Sequence, residues 1–95
     1  MKVKIHYLGL VKTYTHKSQD EIELNEGAQL SELLDKLVSE FGEQFTKEIY
    51  DKGMKEVKAM FTVMINGIVI GQLNGVETIL KSGDNVILMA LMTGG

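Results

Sequence analysis

The chain has 95 residues, 44% hydrophobic and 24% charged, with a formal net charge of −3. That length limits folding to one modest core and argues against a second domain or a deep cofactor cleft. Cysteine is absent, which excludes disulfides, zinc–thiolate sites and thiol nucleophiles, and the acidic balance with no arginine argues against a nucleic-acid partner. The N-terminus starts with an alternation. Val3, Ile5 and Tyr7 fall on one side, Lys2, Lys4 and His6 on the other, the period of a strand with one buried face. The polar run Thr13 to Asp20 reads as a turn. Glu21 to Leu24 alternates again and predicts a second strand, hairpinned to the first.

The period then changes. Leu30, Leu33, Leu34, Leu37, Val38 and Phe41 follow a helical stripe. Gly42 stands where a left-handed cap is expected. The N-terminal cap is weak, with Ala28 or Gln29 in that position, and Glu32–Lys36 has the spacing of a helical ion pair. Glu43 to Lys52 predicts a short second helix using Phe45 and Ile49 and closed by Gly53. Phe61, Val63 and Ile65 predict a third strand, with Met60, Thr62 and Met64 on its other side. Asn66-Gly67 before Ile68-Val69-Ile70 is a hairpin signal. A loop follows over Gly71 to Gly75, then one helical or 3₁₀ turn at Glu77 to Leu80. Ser82-Gly83-Asp84 turns the chain into a last strand, Val86 to Leu91. This order predicts an α+β fold, a sheet with one main helix on one face.

Most polar residues suggest no chemistry. His6 and His16 read as solvated, and the carboxylates are scattered over turns, a strand exterior and a helix exterior. No metal site is expected. Gly67, Gly71 and Gly75 match no phosphate-binding pattern. The six methionines read as core filler. No targeting segment or membrane span is recognisable, so a cytoplasmic protein with no membrane partner is expected.

Two features of the C-terminal end remain. The last strand is apolar on both alternating sets. Val86, Leu88 and Ala90 suit the core, leaving Ile87, Met89 and Leu91 as an outward patch for a partner; the competing reading buries both faces, the second under the stretch 43–58. The chain then ends Thr93-Gly94-Gly95. At this glycine content, two terminal glycines arise by chance in about one chain in a hundred, so the ending alone decides nothing. Physically it suits a delivered carboxylate. Glycines thread a narrow channel and accept unusual dihedrals. With no cysteine, this chain could carry sulfur covalently only at such a carboxylate.

Taken in order, Val3-Lys4-Ile5-His6-Tyr7-Leu8-Gly9, Ile22-Glu23-Leu24-Asn25-Glu26-Gly27-Ala28, Leu33-Leu34, Val63-Met64-Ile65-Asn66-Gly67, Leu80-Lys81-Ser82-Gly83-Asp84-Asn85-Val86 and Thr93-Gly94-Gly95 resemble the β-grasp (ubiquitin-like) sulfur carriers. The small subunit of molybdopterin synthase and the small archaeal modifier proteins are the nearer relatives, the thiamine sulfur carrier a more distant one. Members commonly carry proline before the tail, where this chain has Ala90-Leu91, and before Glu26, where it has Asn25.

The resemblance implies a single β-grasp domain over residues 1–95 with a flexible Gly-Gly tail. It implies a carrier and not a stand-alone enzyme, with no bound cofactor. An E1-like adenylating enzyme would use ATP to activate the Gly95 carboxylate, which then becomes a thiocarboxylate. The sulfur would pass to a pterin precursor in the large subunit of molybdopterin synthase, for molybdenum or tungsten cofactor. Alternatively, Gly95 would be joined to lysines of target proteins. Gly94 and Thr93 belong to the tail, and Met92, Leu91, Met89 and Ile87 would meet the partner. A reading from another class makes the chain a plain binding module with incidental glycines.

Overall fold

Alternation builds the sheet. The computed structural model describes residues 1–90. In it β1 (Lys2–Leu8) buries Val3, Ile5 and Tyr7 and leaves Lys2, Lys4, His6 and Leu8 on the other face. β2 (Gln19–Glu23) pairs with it antiparallel, Val3 opposite Ile22. Between them, α1 (Val11–Thr15) takes part of the stretch expected as a turn. Val11 and Thr15 are one helical turn apart and both buried, which anchors a short helix whose polar composition concealed it. His16 closes it in a left-handed conformation.

α2 (Leu30–Phe41) has the predicted bounds. Leu30, Leu33, Leu34 and Leu37 are fully buried, and Val38 and Phe41 pack against the core more loosely. Gln29 is the N-cap, and its backbone N–H donates to the Glu32 carboxylate at 2.9 Å. Glu32 is thus turned to an orphan donor of the helix start, in place of the expected pairing with Lys36. Gly42 has the positive φ of a glycine cap (84°), but its ψ of −163° lies outside the left-handed helical region. Only glycine tolerates that combination easily, and it swings the chain directly into α3 (Glu43–Glu48).

α3 stops short of the predicted end. Tyr50–Asp51 (β3) instead pairs antiparallel with Glu56–Val57 (β4), so Gly53 lies in the turn of a small ribbon and does not close a helix. Phe45, Ile49 and Tyr50 are all fully buried and join the same core as α2. The stretch 43–58 therefore extends the helix-side layer.

β5 (Phe61–Ile65) and β6 (Ile68–Val69) form the hairpin that Asn66-Gly67 announces. Both turn residues have positive φ, 51° and 84°, as a tight two-residue hairpin requires. The following 3₁₀ turns, Ile70–Gln72 and Gly75–Glu77, fall earlier than the single turn expected at Glu77 to Leu80; Ile79 instead bridges to Gln29. β7 (Asn85–Ala90) completes a five-stranded sheet of order β2-β1-β7-β5-β6. β7 runs parallel to β1 and antiparallel to β5. The parallel pairing demands a long crossover, which the α2 layer supplies.

One end of this core is tied by a polar–aromatic network. The Tyr7 hydroxyl donates to Asp20 at 2.9 Å, and Lys17 donates to Asp20 and Glu40, each at 3.1 Å. The Lys17 ammonium also lies 5.6 Å from the centre of the Phe41 ring, which meets Tyr7 edge-on and stacks on Phe45. Burial, then the bond to Asp20, pushes the Tyr7 hydroxyl well above its ordinary value. Burial and nearby Asp35 raise Tyr50. Lys17 is raised by its bonds to Asp20 and Glu40.

Two stability predictions follow from this packing. Leu34→Ala should lower unfolding free energy by about 2–5 kcal/mol in urea titration, because the cavity lies under the middle of α2. The second concerns alkaline pH. A group whose folded value is raised stabilises the fold below its unfolded value and loses that contribution as pH rises through the folded one. The thermal midpoint should therefore fall above about pH 10, the ordinary tyrosine value. Tyr7→Phe should flatten that decline, with Tyr50 and Lys17 carrying the remainder.

Candidate functional site

The route to the C-terminus is set by β7. It is bordered on both sides, by β1 along Lys4 to Leu8 and by β5 along Phe61 to Ile65. Val86, Leu88 and Ala90 are buried on the helix face, as their alternation predicts. Ile87 and Met89 point to the other face and are half-buried there. The alternative of full burial under the stretch 43–58 fails, because that stretch packs on the helix side. Leu91, Met92, Thr93, Gly94 and Gly95 lie outside the described residues.

The register assembles a patch that the sequence only partly announced. Ile87 sits between His6 of β1 and Met64 of β5, and Met89 sits between Leu8 and Thr62. Val69 lies opposite Met64. Leu8, Met89, Ile87, Met64 and Val69 thus form a continuous apolar strip on the face opposite α2. On its β1–β2 side the strip is bordered by charges. Lys2 and Lys4 face Glu23 and Glu21 across the strands, and the Lys2 and Glu21 side chains approach to 3.8 Å. Such an exposed pair contributes little stability; it shapes the charge pattern around the strip.

Sequence reasoning missed Leu8, Met64 and Val69 as members of this patch. For Met64 the outward alternation was visible, but Val69 needed the hairpin register and Leu8 the β1–β7 pairing. The methionines are also not mainly core filler. Met54 and Met60 are exposed, Met64 and Met89 are half-buried on the open face, and Met1 packs partly against the core. An unbranched, polarizable side chain at a surface adapts readily to more than one opposing shape.

Two hollows among the described residues lie away from the end of β7. One of about 450 Å³ is lined by Met1, Glu23, Leu24, Asn25, Glu26, Glu32 and Lys36. A smaller one of about 200 Å³ adjoins Ile65, Asn66 and Asp84. Both sit at the end of the sheet where β1 and β7 begin. His6 lies on the open face and His16 at the end of α1. Among the described residues, no group of three His, Cys, Asp or Glu side chains could hold a metal ion. No helix among them is long and apolar enough to cross a membrane.

Changing the strip should separate binding from folding. Met89→Asp places a charge on a half-buried open-face position. It should leave the far-ultraviolet circular dichroism spectrum intact while weakening partner binding about tenfold or more in titration calorimetry. Unfolding would show that Met89 is a core residue.

Comparisons with known proteins agree with this architecture. The chain is similar in structure to SAMP1 of Haloferax volcanii, with a TM-score of 0.81 and 16% identity over 100% of both chains. It is similar to a putative molybdopterin converting factor, subunit 1, of Pyrococcus furiosus, with a TM-score of 0.75 and 26% identity over 96% of this chain and 98% of that one. A chain of the Amycolatopsis orientalis BexX/CysO complex matches with a TM-score of 0.74 and 19% identity, covering 98% and 99% of the two chains. The search among curated proteins returned no match. The fold is the β-grasp of ubiquitin-like proteins. The family model described as the ThiS family matches residues 5–95, and the chain belongs to that family of ubiquitin-like sulfur carriers.

Proposed function

We propose that this protein is a sulfur carrier whose working group is the α-carboxylate of Gly95, and that it serves as the small subunit of molybdopterin synthase. The observation that carries the reading is a Gly-Gly end that follows the central strand of a ThiS-family β-grasp fold after only Leu91, Met92 and Thr93. Support for the molybdopterin branch comes from the similarity to the Pyrococcus furiosus protein named for molybdopterin conversion.

The chemistry needs a partner. A carboxylate resists nucleophiles until its oxygen becomes a leaving group. The adenylating enzyme joins the Gly95 carboxylate to the α-phosphate of ATP and releases pyrophosphate. A sulfur nucleophile then attacks the acyl carbon, AMP leaves, and the chain ends in a thiocarboxylate. The large subunit takes the tail and directs the sulfur to the pterin precursor. Glycine at positions 94 and 95 lets the tail enter a narrow channel. Thr93, Met92 and Leu91 line the approach, and the strip around Ile87 and Met89 holds the partner surface. The chain itself contributes a folded handle and one acyl group.

A second reading shares the first step. A lysine amine of a target protein displaces AMP, leaving an isopeptide bond to Gly95. The likeness to SAMP1, a small archaeal modifier protein, over the full length of both chains favours keeping it.

Deleting Gly95 should abolish both activities, and so should residues added after it, since either change removes the carboxylate from its place. An active truncation, or an active C-terminally tagged chain, returns the protein to the class of plain binding modules. Intact mass of the untagged protein from its own cells separates the two main readings. Sulfur in place of oxygen at the C-terminus supports the carrier; Gly-Gly remnants on lysines of other proteins support the modifier.

A further inference from the structure

Three large apolar side chains stand exposed where β7 ends. Leu8 is 40% exposed, Leu10 37% and Met60 50%. Their positions relative to the tail are fixed by the sheet. Leu8 pairs with Met89 on one edge of β7. Gly9 follows, and a Cβ built on it would lie 3.7 Å from the Ala90 carbonyl oxygen. Leu10 is next in the chain. On the other edge, Phe61 pairs with Ala90, and Met60 precedes it. Single exposed apolar residues are ordinary on a protein surface; three within two positions of the neighbours of Met89 and Ala90 are not scattered.

The length of the tail gives that clustering a purpose. Residues 91–95 span about 17 Å at most when fully extended. A partner must surround the activated carboxylate with at least one packed layer of protein, about 10 Å thick. What is left over is only a few ångströms. Hence the mouth of the partner's channel must come down onto the surface around Ala90, where these side chains stand. Charge narrows the fit. Over positions 8–13 and 57–62 the only charged residues are Lys12 and Lys58, so the matching rim is apolar inside, with carboxylates toward its outside.

We propose that Leu8, Leu10 and Met60 form a collar that seats on the apolar rim of the adenylating partner's channel and sets how far the tail enters. This rests on the carrier reading of Gly95 and adds a second contact to the open-face strip. The collar shares Leu8 with that strip, while Leu10 and Met60 come from two connections outside it, the β1–α1 turn and the segment joining the ribbon to β5.

The test uses the full chain, the purified E1-like adenylating enzyme of the same cells, and isotope exchange between pyrophosphate and ATP. Leu10→Glu and Met60→Glu should each raise the half-saturating concentration of the chain about tenfold, with the rate at saturation preserved. Lys52→Asp, a charge change on the distant ribbon turn, should do nothing. Three glycines inserted between Ala90 and Leu91 lengthen the reach by about 10 Å and should remove most of the penalty of Met60→Glu, since the rim no longer has to seat. Circular dichroism checks that each variant is folded; both sites are exposed, and either variant alone is sufficient. Unchanged half-saturation in the folded glutamate variants, with the unaltered chain exchanging normally, overturns the collar and leaves the carrier reading standing. No exchange with the unaltered chain overturns both.

Discussion

The fold depends on one pairing, that of the first strand with the last. β1 and β7 run side by side and parallel, His6 against Ile87 and Leu8 against Met89. Two parallel neighbours cannot be joined by a tight turn. Everything between them is therefore the material of one long crossover, with α2 laid over the sheet to bury its apolar face. The same pairing puts the C-terminal strand in the centre. β5 closes its other edge, so the residues just before the tail are held on both sides. A carrier whose end must be delivered accurately benefits from that arrangement, because the base from which the tail departs is the most enclosed strand of the sheet.

Much of this was legible in the sequence because strong periods survive in a short chain. The leucine stripe of α2, the alternation of β1 and the Asn66-Gly67 turn are local signals, and each appears where its residues predict. What the sequence concealed depended on partners far along the chain. Tyr50 reads as the end of a helix until Val57 is placed opposite it. Val11 and Thr15 are too few to announce a helix, yet burial of both fixes one. The site was half legible for the same reason. Ile87 and Met89 could be assigned to a face from alternation within one strand. Leu8 and Val69 join them only through strand register, which no local pattern encodes. The Gly-Gly end was visible at once, but its weight came from the order of the other segments and the family they identify.

The open face shows a division between two halves of one surface. Toward β2 it carries opposed lysines and glutamates; toward β5 and β6 it carries methionine, isoleucine and valine. The charged half orients an approaching surface and disfavours wrong ones. The apolar half supplies area and, through methionine, tolerance of shape. The proposed carrier, passed from an activating enzyme to an acceptor, would need both properties, since two different surfaces would have to fit the same face in turn.

The parallel pairing of β1 and β7 also has a mechanical meaning. Suppose a partner draws on the tail while the Lys2 end of β1 is held back. The load then runs along the two adjacent strands in opposite directions and shears their ladder, so its hydrogen bonds must yield together and not one after another. A hairpin pulled open from its ends would unzip bond by bond. This chain resists traction along the very axis on which its C-terminus would be drawn into a neighbouring protein, and it can be tugged at its working end without being unravelled from it.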